Sequence, residues 1–430
     1  MAHVWRNWAG NARCTPARVV RPRTEAQLVE CVAANPGPLR VVGAGHSFTP
    51  IVCTDGTLVD LRDHASVLSV DAASGLVTVQ AGMTMAALNA VLDAAGLAMH
   101  NLGDIAYQSV AGAVSTATHG TGATLGNLAT AVVGLRLITA DGTVLDCSAD
   151  SHPEVFASAR VGLGVLGVIS TVTLRTVPAF TLHAVEETRR VDAVLAELDP
   201  LIDGNDHFEF FWFPGTDHAM TKRNNRTDDP PRPKGRVFAF VGDIVLSNVV
   251  FGAVCRAAVA WPPASGALRA IVPRLGRTEY SDTSHRVFAS PRLVRFVEME
   301  YAMPRAAFPE VFERVRRLAD PLAPQVVFPV ECRWVAGDDI PLSPAQGRDT
   351  AYLAVHVVRG NPYEEYFRGV EKILDSVGGR PHWGKLNYQT ADVLAQRYPR
   401  WDEFRAARAT VDPTGRFGNA YTDRVLGQLG

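Results

Sequence analysis

Hydrophobic and polar positions alternate in short runs over residues 17–177, and the runs predict a mixed α/β unit. Thr24 is placed to cap a helix through Leu28, Val29 and Val32. Leu39-Arg40-Val41-Val42 reads as a buried strand that ends at Gly43-Ala44-Gly45. Leu76-Val77-Thr78-Val79 alternates as a strand, and Met85 to Ala95 shows helical spacing at Leu88, Val91 and Leu92 before Gly96 stops it. Val132 to Thr139 predicts a strand closed by the turn Ala140-Asp141-Gly142. Pro153 to Arg160 predicts a short helix, and Val168 to Val177 a long strand.

Beyond Pro178 the pattern changes. Runs become longer and sheet-like, as in His207-Phe208-Glu209-Phe210-Phe211-Trp212-Phe213, and a Pro- and charge-rich loop covers Asp228 to Lys234. Helical spacing appears at Arg189–Leu198, Phe308–Leu318 and Tyr363–Ser376. A chain of 430 residues supports two cores rather than one. The pattern divides it into 1–177, an α+β unit at 178–380, and a tail at 381–430 of short helices and loops.

Composition narrows the function classes. The chain is 47% hydrophobic and 20% charged with net charge −2, which gives no electrostatic signature of nucleic-acid binding. Its lysines are Lys222, Lys234, Lys372 and Lys385, against many arginines, so a lysine inside a motif is notable. Six cysteines, Cys14, Cys31, Cys53, Cys147, Cys255 and Cys332, lack CxxC spacing and point to neither a disulfide framework nor a zinc site; no metal is expected. The first ten residues lack an apolar signal core, and the expectation is a reduced, cytoplasmic protein. Residues 237–254 are strongly apolar and approach the length of a membrane span, but Asp243 and two glycines argue against spanning. They read as core or a hydrophobic surface segment, with peripheral membrane contact as the lesser alternative.

Several segments carry candidate chemistry. Gly43-Ala44-Gly45-His46-Ser47-Phe48 follows a strand, and its glycines let backbone approach a ligand and cradle phosphate; alone it equally suits a turn with a surface histidine. Gln108 to Gly122 consists almost wholly of small residues and reads as a surface that lies against a planar or phosphorylated ligand rather than as ordinary core. Gly162-Leu163-Gly164-Val165-Leu166-Gly167 is formally GxGxxG, but it follows a helix and precedes a strand. That reversed order excludes a nicotinamide-dinucleotide fingerprint. Glu298 and Glu300 share one strand face, as do Glu331 and Arg333; surface ion pairing is the plainer reading of each. His382-Trp383-Gly384-Lys385 combines a histidine, a tryptophan and a scarce lysine. HExxH, P-loop and GxSxG motifs are absent, which removes metalloprotease, NTPase and serine-hydrolase readings.

Taken in order, these segments resemble the FAD-linked sugar-1,4-lactone oxidases, within the vanillyl-alcohol-oxidase type of flavoenzymes and nearest their actinobacterial dehydrogenase branch. The resemblance runs from Asn7-Trp8-Ala9-Gly10 to Arg416-Phe417-Gly418-Asn419-Ala420-Tyr421. It is strongest at Gly45-His46-Ser47-Phe48-Thr49, Thr118-His119-Gly120-Thr121-Gly122, Asn205 to Phe211 and Arg380 to Lys385. It implies a two-lobed FAD-binding domain, a substrate-binding cap, and a C-terminal segment that completes the active site. It further implies FAD bonded covalently through His46. Gly43, Ala44, Gly45, Ser47 and Phe48 would surround that link. Gly103, Ser109, Gly112, Ser115, Thr116, Thr118, His119 and Gly120 would lie along the cofactor. The turn ending at Gly167, with Val168 and Ile169, would meet the adenosine half, and His382 would complete the cofactor set.

The resemblance carries catalytic roles to Glu331, Arg333 and Lys385, with the identity of the base left open. Asp104 stands where alditol oxidases carry serine, so the expected substrate is L-gulono-, L-galactono- or D-arabinono-1,4-lactone, oxidised at C2 to an ascorbate-type product. Gly103 leaves oxygen access to the reduced flavin, although the dehydrogenase branch uses another artificial or protein acceptor. An alditol oxidase that produces hydrogen peroxide is the alternative. A flavin-dependent reductase or a non-catalytic flavoprotein comes next, and no second nucleotide motif supports the reductase.

Overall fold

The computed structural model describes residues 4–235, 272–274, 276–289 and 294–429, with single positions between 236 and 271. The apolar stretch 237–254 lies outside the described residues apart from Ala253. Among the described residues no helix is long and apolar enough to cross a membrane.

The first half is built on two small sheets. Arg18–Val20, Thr57–Asp60 and Leu39–Val42 form a parallel sheet with Thr57–Asp60 in the centre. A five-stranded antiparallel sheet runs Val144–Ser148, Val132–Ile138, Val168–Arg175, Leu76–Gln80 and Val67–Asp71. The helix Glu25–Ala33 starts at Thr24, whose side chain accepts the Gln27 amide. Leu28, Val32, Val77, Val79, Leu88 and Leu92 join one core here, and that core also takes Trp383, Phe404, Phe417 and Tyr421 from the tail. The chain end therefore packs back onto the first half.

The second half is an eight-stranded antiparallel sheet. Its order is Arg277–Thr283, Thr181–Arg190, His218–Thr227, His207–Trp212, Val330–Val335, Thr350–Val358, Phe296–Pro304 and Arg380–Pro381. The helices Phe308–Ala319 and Glu364–Asp375 cover one face. Phe308, Val311, Phe312 and Val315 make the apolar stripe of the first, and Tyr366, Phe367, Val370 and Leu374 that of the second. Period-two alternation sorts each central strand. Phe208, Phe210, Trp212, Met299, Tyr301, Cys332, Trp334, Leu353 and Val355 enter the core beneath the helices. Glu209, Glu298, Glu300, Glu331, Arg333, Tyr352 and His356 therefore stand on the opposite face.

Two sequence expectations change. Arg189 and Arg190 end the strand Thr181–Arg190, opposite Ala219 and His218, and the helix starts only at Val191. Ladder pairing overrides the local helical pattern there. The small-residue segment is also less of an open surface than its composition suggests. Val110–Ser115 is a short helix, and Val110, Ala113, Val114 and Ala117 join the first core, because small side chains allow close helix–sheet packing.

Candidate active site

The first part of the site is a cleft with open space of about 860 Å³, including solvent at its mouth. The strand Leu39–Val42 delivers Gly43, Ala44 and Gly45 to its rim, and Gly45 adopts a φ of +69°. Gly43 is obligatory there: a Cβ would stand 1.9 Å from Ser109 Oγ. That hydroxyl caps the Val110–Ser115 helix by accepting the Gly112 amide at 3.2 Å. Ser109, Gly112, Ser115 and Thr116 line one wall, and Gly164, Gly167 and Ile169 another. One buried acceptor in this lining, Gln108 Oε1, has no protein partner, as expected of a wall that faces a polar ligand. Small residues, close backbone and this orphaned polar atom together fit FAD.

His46 lines the same cleft, and its ring is stacked between Trp8, at 5.7 Å between centroids, and Tyr107, at 6.1 Å. Burial, reinforced by the ammonium of Lys385, lowers its pKa to about 4, so the imidazole is neutral at physiological pH. The N-terminal hairpin fixes this arrangement. Trp8 donates its amide to Gly45 O at 2.9 Å, and Asn7 Nδ2 donates to Ser47 O at 2.9 Å.

The second part is a largely buried polar chamber beneath the open face of the large sheet. Arg333 sits at its centre, in register with Glu209 on one side and Tyr352 on the other. Its Nη2 donates to Glu300 Oε1 at 2.6 Å, its Nε lies 3.4 Å from Glu331 Oε1, and its Nη1 lies 3.9 Å from Asp104 Oδ1. Lys385 Nζ is 2.5 Å from Glu298 Oε2 and 5.1 Å from the Phe48 ring centroid. His356 Nδ1 lies 3.1 Å from Pro329 O, and its Nε2 is 3.5 Å from Glu298 and 3.8 Å from Glu331. His119 stacks on Tyr352 at 3.7 Å, and its Nε2 is 3.3 Å from Glu300. Glu209 reaches Lys222 at 3.5 Å.

The carboxyl groups titrate apart because cations are unevenly shared. Burial raises all three strand glutamates. For Glu298, Lys385 and His356 outweigh burial and hold the pKa at about 2. For Glu300, Arg333 and His119 do the same, well below the ordinary value. Glu331 goes the other way: burial dominates, Arg333 opposes it only in part, and Asp104, Glu209 and Glu300 add repulsion. Glu331 is thus the protonated member. Burial also drives His382 down to about 3, which leaves it neutral and able to accept the Gly384 amide on Nδ1 at 3.0 Å. Among the described residues, two acid and imidazole triplets, His119/Glu300/His382 and Glu298/Glu331/His356, and one all-acid triplet, Asp104/Glu209/Glu331, come close enough to hold a metal ion. In each, Arg333, Lys385 or Lys222 already supplies positive charge at contact distance.

The expected residues thus divide between two places. Gly43, Ala44, Gly45, His46, Ser47, Ser109, Gly112, Ser115, Thr116, Gly167 and Ile169 line the cleft. Asp104, Glu331, Arg333 and Lys385 meet in the chamber, and His119 and His382 lie there too rather than in the cleft. Phe48 floors Lys385. Thr118 receives the Gln108 amide at 3.2 Å, Val168 is a sheet-core residue paired with Ile138, and Gly120 packs where a Cβ would meet Leu102 O at 2.2 Å. A Cβ on Gly103 would lie 3.3 Å from His119 O. Glu298 and Glu300, which the sequence suits equally to a surface pair, stand in the chamber, and so do Glu209, Tyr352 and His356, which no motif marks. Their signal was polar residues at every second position of otherwise apolar strands.

Comparison with known proteins agrees with this geometry. Residues 172–425 match the D-arabinono-1,4-lactone oxidase family model, and residues 16–148 match an FAD-binding domain. The chain is 45% identical to L-gulono-1,4-lactone dehydrogenase of Mycobacterium tuberculosis, covering 99% of this chain and 100% of that one. It is 35% identical to L-gulonolactone oxidase of Bos taurus over 98% of both. The crystal structure of a cholesterol oxidase from B. sterolicum shares the fold, with a TM-score of 0.80 at 18% identity over 99% of this chain and 97% of that one. An FAD-type cleft beside a buried ExR and lysine chamber, with these matches along nearly the whole chain, makes the protein a member of the D-arabinono-1,4-lactone oxidase family.

Proposed function

We propose that this chain oxidises a sugar 1,4-lactone, of the L-gulono-, L-galactono- or D-arabinono- type, at its C2 hydroxyl, with FAD held covalently through His46. The observation that carries the reading is the convergence of Arg333, Lys385, Glu331 and Asp104 in one chamber beside the His46 cleft. Bound FAD supplies the hydride acceptor. Arg333 and Lys385 stabilise negative charge that develops on the substrate oxygen, in surroundings dry enough for that charge to matter. Glu331, protonated, orients the substrate by donating a hydrogen bond. His356 Nδ1–H donates to Pro329 O, and its Nε2 faces Glu298 and Glu331 at the edge of the same chamber. The neutral His46 ring, held between Trp8 and Tyr107, suits a covalent link to the flavin 8-methyl carbon.

Anaerobic mixing with L-gulono-1,4-lactone tests the reading through bleaching of the flavin absorbance. Absence of bleaching with every lactone and polyol overturns it. Bleaching with xylitol but not with lactones would make the protein an alditol oxidase and remove the role given to Asp104. Admission of oxygen to the bleached enzyme then distinguishes oxidase from dehydrogenase, and replacement of Gly103 by valine should slow that reoxidation more than it slows bleaching.

A further inference from the structure

The strand Phe296–Pro304 touches two of the chamber's cations, Lys385 and Arg333, and it does so twice over. Glu298 Oε2 lies 2.5 Å from Lys385 Nζ, and Glu300 Oε1 lies 2.6 Å from Arg333 Nη2. The backbone of the same two residues holds the loop that carries the lysine: Glu300 O accepts the His382 amide at 3.0 Å, and Glu298 O accepts the Leu386 amide at 2.9 Å. Both carboxylates are buried, with side chains 5% and 1% exposed, and neither lines the cofactor cleft. Residues i and i+2 of a strand point the same way about 7 Å apart, so one rigid strand presents two anions to two separate cations.

A lysine ammonium has a flexible four-carbon stem, and ordering it costs rotamer entropy. Without a fixed counter-ion it would swing among rotamers. Arg333 differs: it is anchored on its own strand and also touches Glu331, so Glu300 selects which edge of the guanidinium remains for another partner.

We propose that Glu298 and Glu300 are positioning residues, a two-point clamp on one strand that fixes the Lys385 ammonium and the Arg333 guanidinium in the charged, oriented form the reaction uses. The role in turnover rests on the lactone-oxidation reading above; the clamp itself does not depend on it.

Trace acetylation with peptide mapping tests the clamp in the flavin-loaded protein, since the sequence has only Lys222, Lys234, Lys372 and Lys385 to resolve. In Glu298→Gln the Lys385 amine, released from its 2.5 Å carboxylate contact, should acetylate roughly tenfold faster than in wild type, the scale of one lost contact to a charged group, while exposed Lys372 is unchanged. Glu298→Asp should restore most of the protection, and it also serves if the glutamine variant fails to fold. In Glu300→Gln, where Lys385 loses only a more distant charge, the Lys385 labelling should rise less than in Glu298→Gln. Lactone-driven bleaching should slow about 100-fold in both glutamine variants, the scale of a lost electrostatic contact, with KM little altered. Unchanged Lys385 labelling in both Glu298 variants overturns the clamp. Failure of wild type to bleach with any lactone overturns the functional reading instead and leaves the labelling result to decide the clamp.

Discussion

Glu331 gives the sharpest prediction, because its protonation runs against the ordinary chemistry of a glutamate. Burial, with Asp104, Glu209 and Glu300 adding repulsion, raises its pKa well above 4.5 despite Arg333. Above pH 4.5 the unfolded chain releases this proton while the folded chain keeps it. Glu331 thus contributes stability below 4.5 that is lost as pH rises, at about 1.4 kcal/mol per unit until the folded value is reached. Glu331→Gln matches the neutral carboxyl in shape, keeps a hydrogen-bond donor and does not titrate. Wild type should therefore lose stability relative to the variant as pH rises above 5, at up to about 1.4 kcal/mol per unit. Unfolding entropy for 430 residues is about 0.9 kcal/mol per degree, so the gap in Tm should widen by up to about 1.5 °C per pH unit in favour of the variant. Scanning calorimetry of the flavin-loaded proteins across this range measures the gap, and titrations common to both proteins cancel. Were Glu331 ionised, glutamine would instead strip Arg333 of a charged partner. The variant would then be less stable by a similar amount at every pH, and a pH-independent gap of that sign refutes the reasoning.

Three other outcomes are expected. Gly43→Ala forces Ser109 Oγ away from a position 1.9 Å from the new methyl and removes a helix cap worth about 1 kcal/mol; the purified protein should keep its fold by circular dichroism but lose most of its flavin absorbance. Wild type precipitated in acid should hold its yellow colour, whereas His46→Ala should release flavin to the supernatant; colour lost from wild type would refute the covalent link. Glu298 has a folded pKa of about 2 against 4.5 unfolded, so its pairing stabilises above pH 4.5 and is lost as pH falls toward 2. Glu298→Gln should flatten the acid limb of the stability curve by about 2 kcal/mol, read from urea midpoints at pH 3 and pH 6.

Much of the fold was legible in the sequence because local rules and tertiary packing agree. Thr24 caps the helix it is placed to cap, and the periodic runs at Met85, Phe308 and Tyr363 become helices close to the expected limits. Arg189–Arg190 was misread because a ten-residue strand carries its ladder past the point where helical spacing begins. The site was legible only in pieces. Glu331-Cys332-Arg333 reads equally as a surface ion pair until the sheet order places Glu209, Tyr352, Ala354 and Glu300 across from it. Cross-strand register decides which acid meets which base, and register is not encoded within any one strand. His356 stayed invisible for that reason: Ala354-Val355-His356 is unremarkable until its partner across the ladder proves to be Glu298.

The chamber's charge balance explains why its members are spread over so many strands. Asp104, Glu209, Glu298, Glu300 and Glu331 bring five carboxyls, while Lys222, Arg333 and Lys385 bring three permanent cations. Five ionised acids against three bases would leave the chamber repelling the very alkoxide it must stabilise. The excess is relieved at Glu331, where the cation share is poorest, and by the imidazoles that face Glu298 and Glu300. Arg333 and Lys385, each held by an acid of one strand, would then place positive charge beside the substrate as negative charge develops on its oxygen. One strand of paired acids, one neutral acid and two fixed cations form a preorganised set that meets the developing charge with little rearrangement of its own.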